Sequence, residues 1–350
     1  MISFYPGPSR VYDEIPAYVK DAANAGILSM NHRSDACMEL IKKTLALLRK
    51  KLSIPANYTI VFAGSATECW EIIAQSFNQK SIHFYNGAFG KKWYEYTKKI
   101  KPSVQSVSFL PEHALEPQAF PYTDSTDLLC FTQNETSNGT QVSVKILEQF
   151  RKRVPEALIA VDATSSLAGI YLNIKAADIW FASVQKCFGL PAGLSLIICS
   201  PKAIQRMREV NRYDHYNSLA FMVDMMNRHQ TPYTPNVLGI YLLMRVLQKV
   251  KPIKEIEKIT QQRFDRWSAF FNEHTFLKFF ITNRNMRSKT VIALTGEPAY
   301  LDSLKKKAKK KGFLLGEGYG DLKTSTLRIA NFPAIKQNEI TALQKFLRSN

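Results

Sequence analysis

Apolar positions along the chain follow two periods that alternate. The run Tyr58–Phe62 alternates apolar and polar residues. Ser81–Tyr85, Leu128–Thr132, Ala157–Val161, Ile179–Ala182 and Leu194–Cys199 are short and rich in bulky or β-branched residues. All of these predict strands, most of them buried on both faces. Around them lie stretches with apolar residues three and four apart, which predict helices over Tyr12–Ala25, Ala36–Leu52, Thr67–Phe77, Val144–Arg153 and Val237–Lys249. Another helix is predicted from Pro252 to about Asn272. The strand–helix–strand rhythm predicts an α/β fold with a mostly parallel sheet, whose sites lie at the carboxyl ends of its strands. The rhythm changes near Arg263. Strands near Lys289–Leu294 and Thr326–Ile329, with helices near Tyr300–Lys311 and Lys336–Leu347, predict a small α+β domain over 263–350, after a large domain over 15–262. Residues 205–230 have no readable period.

Composition narrows the class. At 350 residues the chain can bury a large core in two lobes. It has no apolar run long enough to span a bilayer, and its first residues lack the basic and apolar regions of a signal peptide. The five cysteines are scattered, without a C-x-x-C pair, which predicts a reducing, cytoplasmic setting and argues against a structural zinc site. The net charge of +18 raises the question of a nucleic-acid partner. The excess comes mainly from lysine clusters such as Lys305-Lys306-Lys307 and Lys309-Lys310-Lys311, in helical stretches where charge forms a solvated face. A nucleic-acid partner is not the expectation.

The candidate chemistry lies at two strand ends. Ile179–Ala182 leads into Ser183-Val184-Gln185-Lys186, then into a segment with Gly189, Pro191 and Gly193 that cannot extend a strand. A lysine in such a place costs several kcal/mol, roughly, unless it is paired or neutralised. The strand from Ala157 ends on Asp162. Two readings fit: an ion pair at the sheet edge, or a lysine that forms a Schiff base with a carbonyl cofactor while a carboxylate serves that cofactor's ring.

The motifs V-D-A-T-S-S and S-V-Q-K-C-F-G-L-P-A-G resemble the cofactor-binding core of class V aminotransferases, within them the phosphoserine aminotransferase branch. The resemblance implies a fold-type-I transferase that uses pyridoxal 5′-phosphate, bound through Lys186, with Asp162 at the pyridine nitrogen. Residues 1–14 become an arm that crosses the active-site mouth and joins the small domain. G-S-A-T (Ser65, Ala66, Thr67) resembles the turn that binds the cofactor phosphate, together with Gln185. A strand, a small-residue turn and a helix start suit that task. Phe89 stands where the family's stacking tryptophan stands, and Thr136 of N-E-T-x-x-G reaches the ring's phenolic oxygen. Gln230 and Thr231 match an Asn-Thr pair that reaches the phosphate of the other subunit, which implies a homodimer with shared active sites. His32 and Arg33 match a turn that holds the substrate phosphate. Arg328 matches the arginine that clamps the α-carboxylate. The substrates implied are small amino and keto acids, in the family's transfer from glutamate to 3-phosphohydroxypyruvate in serine biosynthesis.

Two departures matter. Gln230 replaces the family's asparagine. Gly318-Tyr319-Gly320 occupies the region of a G-H-R motif whose basic pair completes the phosphate site. The second departure keeps open an aminotransferase of alanine–glyoxylate type, or one for another unphosphorylated keto acid. A rival of another class is an inactive basic nucleic-acid-binding protein on the same fold, against which the Asp162–Lys186 pair argues. Gln185 argues against a cysteine desulfurase, and the absence of G-x-G-x-x-G after a strand argues against hydride transfer.

Overall fold

In the computed structural model, which describes residues 1–77, 80–120 and 127–350, the apolar runs assemble into one large sheet. Its strands lie in the order Thr59–Ala63, Ser195–Cys199, Ile179–Ser183, Leu158–Asp162, Leu128–Thr132, Ser81–Tyr85 and Gln105–Ser108. Ser195–Cys199 runs antiparallel to both neighbours; the other pairings are parallel. The four strands from Ser195–Cys199 to Leu128–Thr132 are buried along their whole length, which accounts for their unbroken apolar character. Each fully buried Ile, Leu or Phe there contributes about 1.5–3 kcal/mol. His83 lies in the core. It packs edge-on to Trp93 at 5.0 Å, and burial pushes its imidazole down to about 3.

A second sheet has the order Ile2–Phe4, Phe313–Glu317, Thr326–Ala330, Val291–Thr295 and Lys278–Phe279. Ile2–Phe4 pairs in parallel with Phe313–Leu315, so the first residues belong to the sheet built mainly from the last eighty. The helix Ile253–Glu273 runs unbroken through residue 263, because no glycine or proline interrupts it there. The unread stretch holds two helices, Pro201–Val210 and Leu219–Met226, capped by Ser200 and Ser218. The second buries Leu219, Ala220, Met222, Val223 and Met226 and has no long polar face, which explains its missing period. The first helix spans Ile15–Asn24, three residues shorter at its start than expected. Pro16 sits in its first turn, and Asp13 and Glu14 precede it in a turn closed by the Ile15 N–H on the Tyr12 carbonyl.

Candidate active site

Parallel strands end on one side of a sheet, and the antiparallel Ser195–Cys199 starts there. Ser195 lies opposite both Ser183 and Ala63, while Asp162 pairs with Thr132 and Phe181. The loops that follow Ala63, Tyr85, Thr132, Asp162 and Ser183 therefore converge. They enclose a cavity of about 230 Å³ lined by Ser65, Ala66, Thr67, Phe89, Thr136, Asp162, Gln185, Lys186 and Arg328. All nine are residues singled out in the sequence.

Lys186 sits on a turn closed by Gly189, whose N–H donates to the Lys186 carbonyl at 3.0 Å and whose φ is +63°. The side chain is buried, and Nζ donates to Thr136 Oγ1 and Ser165 Oγ, each at 2.8 Å. Burial pushes its ammonium down to about 8, against the field of Asp162, which raises it. An appreciable part is thus neutral near pH 8 and able to attack a carbonyl. The Asp162 carboxyl is pushed up by burial and pulled back by the N–H of Thr164 (2.9 Å), the Lys186 charge and the Trp70 indole N–H (3.2 Å). The N-terminal arm closes the cavity from above: Tyr5 to Pro8 line it, and Ser9 N–H donates to the Gln185 carbonyl at 3.1 Å. A Cβ on Gly7 would come 2.8 Å from Lys186 Cε, so only glycine lets the arm lie this close.

Phe89 presents its ring 5.3 Å from Lys186 Nζ. It is held by Glu135, fully buried, whose carboxylate accepts from the backbone N–H groups of Phe89 (3.1 Å) and Gly90 (3.0 Å) and from Ser137. The acceptor thus caps the positive start of the helix Ala88–Ile100. Glu135→Gln replaces one acceptor oxygen by a donor facing N–H groups. It is expected to cost about 1–3 kcal/mol in urea unfolding; unchanged stability would show that the N–H groups find other partners.

Arg328 lies in the Thr326–Ala330 strand, 3% exposed, with Nε donating to the Glu317 carbonyl and Nη1 to the Thr136 carbonyl, both at 2.8 Å. Tyr319 lines the same cavity. Its ring lies 4.8 Å from that of Phe89, and its hydroxyl accepts from Lys92 Nζ at 2.6 Å. The polar groups near the helix start at Ser65 are partly engaged. Ala66 N–H donates to Ser183 Oγ at 2.7 Å, and Ser65 Oγ accepts from Glu68 N–H.

Four other candidates lie apart from the cavity lining, and three of them meet one another. Arg33 donates to Gln230 Oε1 (2.9 Å) and to the carbonyls of Thr231 (2.8 Å) and Pro232 (2.9 Å). The Thr231 hydroxyl donates to the Tyr233 carbonyl. His32, the fourth, precedes Arg33 in the same turn. Within one chain, then, Arg33 braces the 230–232 segment. Sequence reasoning missed Trp70, Ser165, Thr132, Asn134, Thr164 and Tyr319. A signal existed for Ser165, adjacent to the D-A-T motif. The Trp70 contact to Asp162 depends on how a helix packs on the sheet and leaves no local trace.

Comparison with known proteins identifies the family. The family described as Aminotransferase class-V matches residues 6–318. The phosphoserine aminotransferase of Rhodococcus opacus (strain B4) is 28% identical, over 97% of this chain and 92% of its own length. That of Corynebacterium glutamicum (strain R) is also 28% identical, over 96% and 91%. Among solved structures, a phosphoserine aminotransferase from Cytophaga hutchinsonii superposes with a TM-score of 0.94 at 30% identity, covering 100% of this chain and 98% of that one. An aspartate aminotransferase from Thermus thermophilus, at 20% identity and a TM-score of 0.87, shares the fold.

Proposed function

The chain belongs to the class V aminotransferases, and we propose that it exchanges the amino group of O-phosphoserine and glutamate between their keto acids, with pyridoxal 5′-phosphate as cofactor. The observation that carries this reading is the pairing of a buried Lys186 amine with a buried Asp162 carboxylate on one cavity. The cavity suits the cofactor for a further reason. Thr132 Oγ1, Asn134 Oδ1 and Thr164 Oγ1 line it, are buried, and have no hydrogen-bond partner among the described residues. Such groups call for a polar occupant.

Bound pyridoxal phosphate supplies an electrophilic carbon and an electron-withdrawing ring. Lys186 Nζ, neutral in part near pH 8, would hold the group through that carbon and is placed to take a proton from substrate Cα and return it. Thr136 and Ser165 fix Nζ in place on the cavity wall. Asp162 would keep a proton on the ring nitrogen, and the low polarity of its surroundings would strengthen that bond. Ser65, Ala66, Thr67 and Gln185 would hold the phosphate near the start of the helix Ala66–Ser76, and Phe89 would offer a ring for stacking. Arg328, with two donors spent on carbonyls, turns the rest toward the α-carboxylate and so orients the Cα–H bond. A symmetric dimer brings a second copy's His32, Arg33, Gln230 and Thr231 to the cavity, with the 230–232 segment braced as a unit. No helix among the described residues is long and apolar enough to cross a membrane, which accords with a cytoplasmic enzyme.

Where the family's basic pair is missing, Tyr319 and Lys92 stand. The Lys92 ammonium donates to the phenol oxygen, which leaves the phenol proton to point at an incoming anion. Tyr319→Phe and Lys92→Ala are each expected to lower kcat/KM for O-phosphoserine about tenfold or more while leaving the far weaker turnover of alanine unchanged. Equal losses on both substrates would instead favour the alanine–glyoxylate type. The whole reading is tested by the visible spectrum of the purified protein. A band that bleaches with O-phosphoserine, but not with serine or alanine, carries it. A band indifferent to phosphoserine ends the substrate assignment alone, and no band after adding pyridoxal phosphate ends both.

A further inference from the structure

A second cavity of about 230 Å³ lies away from Lys186, between the start of the helix Ile15–Asn24, the end of the helix Val237–Lys249 and the helix Ile253–Glu273. Its walls are mostly apolar, from Tyr18, Val246, Ile256, Ile259 and Pro333. Arg263 breaks that pattern. It is 9% exposed, its Nε is buried with no hydrogen-bond partner among the described residues, and Nη1 has only a 3.5 Å contact with the Phe332 carbonyl. A guanidinium with five donors is costly to bury so poorly paired. It shares the buried face of its helix with Ile256, Thr260, Phe264 and Trp267, so a cation stands where an apolar side chain would pack without cost. The neighbouring Tyr12 phenol is pushed far up by burial, so it stays a donor, and Lys249 and Lys251 outnumber Glu14 along the lining. Donors and positive charge thus face a space with apolar walls.

We propose that this cavity is a binding site for a small carboxylate with an apolar body, its carboxylate on Arg263 and its hydrocarbon against Tyr18, Val246 and Ile259. A carboxylate matches the planar fork of a guanidinium and supplies the acceptors that Arg263 lacks. The site touches the chemistry through one residue. Tyr12 N–H donates to the Gly189 carbonyl at 3.0 Å, its ring lies where a Cβ on Gly189 would come within 2.7 Å, and Gly189 closes the Lys186 turn. Tyr12 also ends the arm whose residues 5–8 cover the active-site cavity. An occupant against Tyr12 therefore steadies both the arm and the lysine turn.

Benzoate is a suitable probe because it has neither an amino nor a keto group, and benzamide is its uncharged counterpart. Calorimetric titration of the holoenzyme is expected to show saturable benzoate binding that Arg328→Met leaves intact. Arg263→Met and Ile259→Trp, which fills the cavity and keeps the arginine, should each weaken it about tenfold or more, as should exchange of benzoate for benzamide. Saturation should also slow hydrogen exchange at the Tyr12 amide; binding without that slowing would overturn the link to the lysine turn. No saturable binding, binding that survives both cavity variants, or binding lost only in Arg328→Met, with benzoate then in the Lys186 cavity, would overturn the site.

Discussion

Lys186→Met is expected to abolish the visible band and reduce turnover by at least about 10⁴-fold, since one amine both attaches the cofactor and moves the Cα proton. It is also expected to make the cofactor-free protein more stable at neutral pH. The reason is linkage. Burial lowers the lysine from 10.5 to about 8 in the folded chain. Between those values the unfolded chain holds a proton that the folded chain lacks, so the lysine's contribution to stability rises with pH across that window. Below pH 8 the folded chain bears the full cost of a buried charge, up to about 3 kcal/mol. Methionine fills similar space without a charge. That cost already includes the favourable field of Asp162; part of the gain is lost because methionine cannot donate to Thr136 and Ser165, which leaves about 1–2 kcal/mol at pH 7. Urea unfolding at pH 7 and pH 10 measures this. The advantage of the variant should be present at pH 7 and nearly gone at pH 10; a variant less stable at pH 7 would mean that the pair stabilises the fold, as the simpler ion-pair reading holds.

The same physics explains what the sequence disclosed. Ile179–Ser183 is buried on both faces, so every residue in it is apolar or small and its end is sharp. A lysine just beyond such an end has no packing reason to be there, which made Lys186 legible, and Asp162 with it. Gln105–Ser108, the edge strand, is partly exposed and carries no such pattern. Phe313–Glu317 follows the lysine run and Gly312 and has no element assigned from the pattern; the gap in the expected G-H-R motif lies just beyond it, at Gly318-Tyr319-Gly320. That gap was visible, but its filling was not, because Tyr319 meets Lys92 across 227 positions. Arg263 was legible in principle as a cation on an apolar helix face. Its lack of partners, which is what gives it meaning, is a property of the packed chain alone.

Asp162→Asn separates the two roles that the carboxylate plays. The amide keeps one acceptor oxygen where the native carboxylate offers Oδ2 to the Trp70 indole and Oδ1 to the Thr164 N–H, and it turns an NH2 toward the other donor, so stability should fall by about 1–3 kcal/mol, partly offset by the loss of a buried charge. Lys186 is retained, so a visible band should still form on adding pyridoxal phosphate. Turnover, however, should fall on the order of 10²–10³-fold, because an amide cannot hold a proton on the ring nitrogen as a carboxylate does, and the preorganised charge is lost where the ring must accept electrons. The pH dependence gives a second signature. Asp162 raises the Lys186 pKa, so its loss lets burial push the lysine further down. The rate of cofactor incorporation, which in the native protein should climb as pH rises through about 8, should climb at a lower pH in the variant. A rise at the native pH with turnover lost would place Asp162 at the ring but outside the field of the lysine. Native turnover with a shifted rise would leave it an ion-pair partner and nothing more.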